Sequence, residues 1–141
     1  IYFIIFFSTA GSIADKIVPK DEDAIGKETE TVTLKCSYET TSNDIYLYWF
    51  RQYPHSAPEF ILYKGARSRD YAESSPDDRR LESKTTGDST ELTIRGLKLS
   101  DSALYHCALR DAMYTHTNTE SVKDCTKTHQ RYFLYLLVIS K

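Results

Sequence analysis

The sequence predicts an all-β protein, a two-layer sandwich or a barrel, and three observations carry that reading. Apolar and polar residues alternate through residues 31–38. Val32, Leu34 and Cys36 share one face, and Thr31, Thr33, Lys35 and Ser37 share the other. That is the period of a strand buried on one side. Short strand-like runs recur between turn signals from Asp15 to about Arg110, a spacing found in sandwiches and barrels. No long segment in that stretch repeats its apolar residues with a helical period.

The elements follow in order. Residues 31–38 are the first clear strand and residues 45–52 the next. In the latter, Leu47, Trp49 and Arg51 point one way, and Tyr46, Tyr48, Phe50 and Gln52 the other. Both faces are rich in large apolar groups, so both are expected to be covered. Residues 53–58 hold Pro54 and Pro58, which cannot donate to a ladder, and read as a turn. Residues 59–63 are a short strand, and residues 64–78 are polar and irregular. Residues 80–86 and 90–95 form a hairpin around Gly87-Asp88, with Leu92 and Ile94 facing inward. Residues 97–102 are a turn region, and residues 103–109 the last clear strand.

Composition narrows the function classes. With 141 residues, 40% hydrophobic and 27% charged, the chain has the balance of one ordinary globular domain. Its formal charge of −2 provides no field to attract nucleic acid or an anionic membrane. Eleven tyrosines favour strands and adaptable contact surfaces. Residues 1–7 are an apolar run followed by small residues up to Ala14. They read as part of a secretory leader, residues 1–14, cleaved after Ala14 or near Gly11; a buried N-terminal strand is the alternative. The run is too short to span a bilayer. Secretion makes disulfides available, and three cysteines, Cys36, Cys107 and Cys125, leave one over after any pair forms.

Trp49 lies 13 residues after Cys36, Cys107 lies 71 after Cys36, and Tyr105 sits two before Cys107. This constellation resembles the immunoglobulin pattern of an inter-sheet disulfide, a tryptophan packed on it and a tyrosine corner. Three stretches make the resemblance more specific: Trp-Phe-Arg-Gln-Tyr-Pro at 49–54, Ser-Ala-Pro-Glu-Phe-Ile-Leu-Tyr at 56–63, and Leu-Ser-Asp-Ser-Ala-Leu-Tyr-His-Cys-Ala at 99–108. They resemble the variable segments of T-cell receptor α or δ chains, over about residues 15–110. The resemblance implies a variable-type, two-sheet Greek-key sandwich with a Cys36–Cys107 bridge and a core around Trp49, Leu92 and Tyr105. It also implies an ion pair between Arg80 and Asp101.

Alternation then assigns surfaces. With Trp49 and Cys107 facing the core, Tyr48, Phe50, Gln52, Leu104, His106 and Ala108 project from the opposite face. An apolar outer face marks a partner site. The resemblance implies that a second variable domain, of β or γ type, covers it, with Gln52 near the centre and Pro58 at the edge. Three loops are expected by position to contact a ligand, and the resemblance implies that it is a peptide held by a major histocompatibility (MHC) molecule, or another antigen for a δ-type chain. The first holds Thr40, Thr41, Ser42, Asn43 and Asp44, and the second Lys64, Gly65, Ala66 and Arg67. The third begins at Leu109 and Arg110. The domain itself is expected to touch neither nucleic acid nor membrane, and to lie on the extracellular side of the plasma membrane.

The chain carries no nucleophile elbow, phosphate loop or dinucleotide fingerprint, so no catalytic residues, cofactor or metal are assigned. Cys125 and His129 lack a second ligand pair for zinc, and neither Asn43 nor Asn118 starts a glycosylation signal. Residues 111–141 change character, from a polar, Thr-rich stretch to an apolar run at 132–139. The last glycine is Gly96, so the Phe-Gly-x-Gly of a joining segment is absent after Cys107. Residues 111–141 are therefore expected to be a non-homologous tail, read-through or disordered, with the final strand of the sandwich missing or improvised from residues 132–139. An innate immune-type receptor ectodomain and an immunoglobulin light-chain variable segment are the competing readings.

Overall fold

The computed structural model describes residues 15–21 and 23–112, together with the backbone of a last strand, Tyr132–Ser140. The expected leader and residues 113–131, including Cys125, His116 and His129, lie outside these. Among the described residues the strands are β1 (Lys16–Pro19), β2 (Asp23–Lys27), β3 (Val32–Glu39), β4 (Asp44–Gln52), β5 (Glu59–Arg67), β6 (Leu81–Thr85), β7 (Ser89–Ile94), β8 (Ala103–Asp111) and β9 (Tyr132–Ser140). They form a sandwich: one sheet runs β1-β3-β7-β6 and the other β2-β9-β8-β4-β5. All pairings are antiparallel except β2 with β9.

The two-residue period builds the core. Leu34, Cys36 and Tyr38 of β3 face Ile45, Leu47 and Trp49 of β4 together with Tyr105, Cys107 and Leu109 of β8; Leu92 and Ile94 of β7 complete the layer. Cys36 and Cys107 are joined by a disulfide, their Cα atoms 6.7 Å apart. Trp49 is fully buried, and its indole N–H donates to Thr90 Oγ1 at 3.1 Å. Its only polar atom is thereby satisfied inside the core. Tyr105 is fully buried too, and its hydroxyl donates to the Asp101 carbonyl at 2.8 Å, two residues from the Leu99 region to which the sequence directs it. That hydroxyl closes the turn Leu99–Asp101 against β8.

Three sequence expectations are corrected. Residues 64–67, expected as an irregular loop, complete β5 by pairing with residues 44–47 of β4. Their own sequence lacks alternation, so only the neighbouring strand reveals them. Gly65 and Ala66 are buried, and the turn falls instead at residues 68–71. Asp44 opens β4, and Leu109 and Arg110 belong to β8 rather than to a loop; Leu109 packs in the core. The short strands β1 and β2 give no periodic signal and were not anticipated individually. The last strand matches expectation in place: β9 pairs with β8 from Ala103↔Leu137 to Ala108↔Tyr132, covering the edge that β8 would otherwise expose.

Candidate binding surfaces

The outer face of the larger sheet carries a continuous aromatic patch. Tyr48 stacks on Phe50 with ring centroids 6.3 Å apart and meets Tyr63 at 5.7 Å. Phe60 packs edge-on to Phe50 at 6.0 Å, and Tyr46 edge-on to Tyr63 at 5.7 Å. Tyr48 and Phe50 are half-buried, while Phe60 remains 52% exposed. Such pairs are stabilising beyond their buried area, yet one side of the patch still faces water.

Tyr46 lies where alternation puts it, with Tyr48 and Phe50, but Phe60 and Tyr63 were not among the residues expected on this face. The reason lies in the register. Between Trp49 and Phe50 the β4–β5 ladder shifts, so Trp49 faces Leu62 while Phe50 faces Phe60. The bulge leaves Ile61 as the extra residue and brings Phe60 and Tyr63, an odd number of positions apart, to the same side. Simple alternation cannot reproduce that. The aromatic content of residues 59–63 was the available signal.

At the lower part of this face, Gln52 and His106 are joined, with His106 Nε2 2.9 Å from Gln52 Oε1. The Gln52 amide N–H donates to the Ser56 carbonyl at 3.0 Å, so both ends of the amide are held by this chain. His106 is 9% exposed, and burial pushes its imidazole below the ordinary histidine range. Ala108 is fully buried. These two outer-face residues of β8 are therefore more covered than alternation alone implies. Leu104 is half-buried and Pro58 exposed.

At the upper end, the first loop is braced from β5. Arg67, with φ of 57°, donates to the carbonyls of Thr40 at 2.8 Å, Ser42 at 2.6 Å and Gly87 at 2.8 Å. Its guanidinium also lies 5.5 Å from the centre of the Tyr38 ring. Arg67, placed by sequence in the second loop, thus holds the first loop through Nη1 and ties it to the β6–β7 turn at Gly87 through Nε and Nη2. Ser68 donates to the Asn43 carbonyl through backbone N–H at 3.0 Å, and Arg69 makes a two-point contact with Asp44. Ser42 donates to Asp111 Oδ1 at 2.9 Å, linking the first loop to the end of β8. Thr41 and Asn43 are exposed at the tip, and Arg110 is exposed beside it.

At the opposite end, Arg80 grips Asp101 with two bonds, 2.8 and 3.0 Å. It also meets Asp78 at 2.8 Å and the Gly96 carbonyl at 3.0 Å. Burial opposes ionisation of Asp101, but the guanidinium and the Lys98 N–H outweigh it and hold the carboxyl below its usual range. The arrangement braces the lower turn. Among the described residues no group of three or more potential metal ligands comes together, and no helix is long and apolar enough to cross a membrane.

A bridged two-sheet sandwich with a buried tryptophan, a tyrosine corner and an aromatic outer face defines an immunoglobulin variable-type domain. Residues 20–124 match the immunoglobulin V-set domain, and the chain belongs to that family. Within it, the chain is similar to T-cell receptor variable segments. It is 32% identical over 99 residues to human T cell receptor alpha variable 14/delta variable 4, covering 70% of this chain and 84% of that segment. It is 35% identical over 100 residues to human T cell receptor beta variable 13, covering 70% and 77%. The human T cell receptor alpha chain MC.7.G5 is 30% identical over 104 residues, 72% of this chain but 36% of that one. The chain thus spans little more than a third of that receptor chain.

Proposed function

We propose that this domain is the antigen-recognition variable domain of a T-cell receptor α or δ chain. It pairs through its β4–β5–β8 face with a β- or γ-type variable domain and displays its loops towards peptide–MHC-type ligands. The observation that carries the reading is the aromatic patch of Tyr48, Phe50, Phe60 and Tyr63. Phe60 is large, apolar and half in water, which a sheet face avoids unless something covers it. The first loop supports the second half of the proposal. Its backbone is fixed by Arg67 and Ser68, while Thr41 and Asn43 stay free at the tip; a rigid base with adaptable polar tips suits recognition.

The reading places the domain in the secretory pathway and outside the cell, with residues 1–14 as its leader, and assigns it no enzymatic activity. It also treats residues 111–141 as a tail other than a joining segment, because no glycine follows Gly96 and β9 supplies the last strand without the Phe-Gly-x-Gly bulge. Receptor messages from mature T cells test this: splicing after Arg110 to a different sequence is expected, and in-frame retention of residues 111–141 before a constant region overturns it. For the main reading, the domain is co-expressed with panels of α, β, γ and δ variable domains. Heterodimers are expected with β or γ partners. Association with none of them, or equally with all four, contradicts the proposal.

A further inference from the structure

The upper end of the aromatic face opens into a notch of about 430 Å³ walled by Tyr46, Tyr48 and Tyr63 and flanked by Asp44, Arg69 and Arg110. Its polar chemistry is one-sided. Among the described residues, which include Ala112 at its rim, the Asp44 carboxylate is the one anion in the wall, and Arg69 bonds both of its oxygens. Arg69 is further anchored by the Tyr71 hydroxyl at 3.2 Å and lies 6.0 Å from the centre of the Tyr46 ring. Arg110 is used far less. One of its N–H groups donates to the Tyr48 hydroxyl at 3.1 Å; the rest of its fork, like the hydroxyls of Tyr46 and Tyr63, has no partner among the described residues. The described residues of the notch therefore present donors and a surplus positive charge between aromatic walls, and among them no open carboxylate is left to receive a cation.

We infer that this notch takes a carboxylate side chain, an Asp or Glu, from the third loop of the partner variable domain. The inference rests on the pairing proposed above and deepens it. Two similar sandwiches packing the same face do so about an approximate two-fold axis. An axis parallel to the strands brings the β5 edge of one domain against the β9 edge and third loop of the other, at the same end. The notch lies at that end, between β5 and the upper end of β8. A carboxylate there accepts from a guanidinium already oriented by Tyr48, and such charge-assisted bonds are strong and directional in partly dry surroundings. The same residues select the partner: an acidic loop gains the bond, and a basic loop meets Arg110 and Arg69 at close range.

The test uses the human beta variable 13 domain, displayed with its third loop randomised and selected for binding to this chain. Binding to wild type should enrich Asp and Glu, with acidic clones about tenfold tighter than their amide counterparts. Arg110→Glu should invert the preference towards Lys and Arg, and Arg110→Gln should abolish it; Arg110 is exposed, so both variants should fold, which melting curves check. Charge-blind selection against wild type, the outcome if this chain's own third loop or antigen fills the notch, overturns the inference but leaves pairing intact. Persistence of the acidic preference with Arg110→Glu also overturns it. If no clone binds any variant, the pairing reading fails and this one with it.

Discussion

At the scale of single residues, Arg80 and Asp101 show how an ion pair can be structural. Asp101 is 2% exposed and accepts from Arg80 twice and from the Lys98 N–H at 2.8 Å. Removing its charge breaks the buried half of the cluster and leaves Arg80 with the more exposed Asp78 as its carboxylate partner, so Asp101→Asn should cost on the order of 2–3 kcal/mol. The pH dependence follows from sign. Asp101 and Asp78 both have carboxyls held below their usual range, so the unfolded chain takes up protons first as pH falls. Their stabilisation is complete above about pH 4 and is lost as pH drops through the lower folded values. Thermal melts between pH 5 and pH 2 should fall more steeply for wild type than for Asp101→Asn; parallel slopes would show that the pair does not contribute. This pair was legible in the sequence only through resemblance, since 21 residues separate its members and no local pattern links them.

At the scale of elements, β5 separates what alternation can and cannot reveal. Its first half is readable from Phe60, Ile61, Leu62 and Tyr63. Its second half, Lys64 to Arg67, has no apolar period, and it exists because β4 offers a ladder and because Gly65 allows a close crossing. A Cβ at Gly65 would sit 2.0 Å from the Arg69 carbonyl oxygen, which no side-chain rotation relieves. Gly65→Ala should therefore displace the turn at residues 68–71 and with it Ser68 and Arg69, the supports of the first loop. A loss of about 1–3 kcal/mol is expected, read by thermal melting, with faster hydrogen exchange at Ser68 and Ala72. Unchanged stability and exchange would mean that the turn accommodates the methyl group and does not brace the loop. The bulge at Ile61 had the same kind of invisibility, because a register shift is a property of two strands and not of either alone.

At the scale of the whole molecule, the spacing of Cys36, Trp49, Tyr105 and Cys107 pointed to a two-sheet sandwich through its resemblance to the immunoglobulin pattern, and the structure joins the two cysteines across the sheets with Trp49 and Tyr105 buried in the same core. The bridge closes a 71-residue separation, and constraining so long a loop stabilises the fold by roughly 4 kcal/mol. Much of a domain's marginal stability is of that size. Cys36→Ala should therefore export little folded protein from secreting cells, and normal export would show that the core holds without the bridge. What the sequence did not reveal was how covered the outer face of β8 is, since His106 and Ala108 are buried there; the β9 strand beside it was legible as an apolar run.

The central claim is that this face, and no other, is where a second variable domain docks. Two substitutions of equal charge on opposite sides of the sandwich test it most directly. Phe50→Asp lies in the aromatic patch of the larger sheet, and Ser37→Asp on the exposed outer face of the smaller one. Each variant is mixed with a β- or γ-type domain that pairs with wild type, and the dissociation constant is measured by sedimentation alongside the melting temperature. Truncating a central aromatic anchor and burying a charge should weaken pairing by roughly 30-fold or more, with Phe50→Asp still folded and Ser37→Asp indistinguishable from wild type. Wild-type pairing by a folded Phe50→Asp domain, or a comparable loss from Ser37→Asp, would contradict the account.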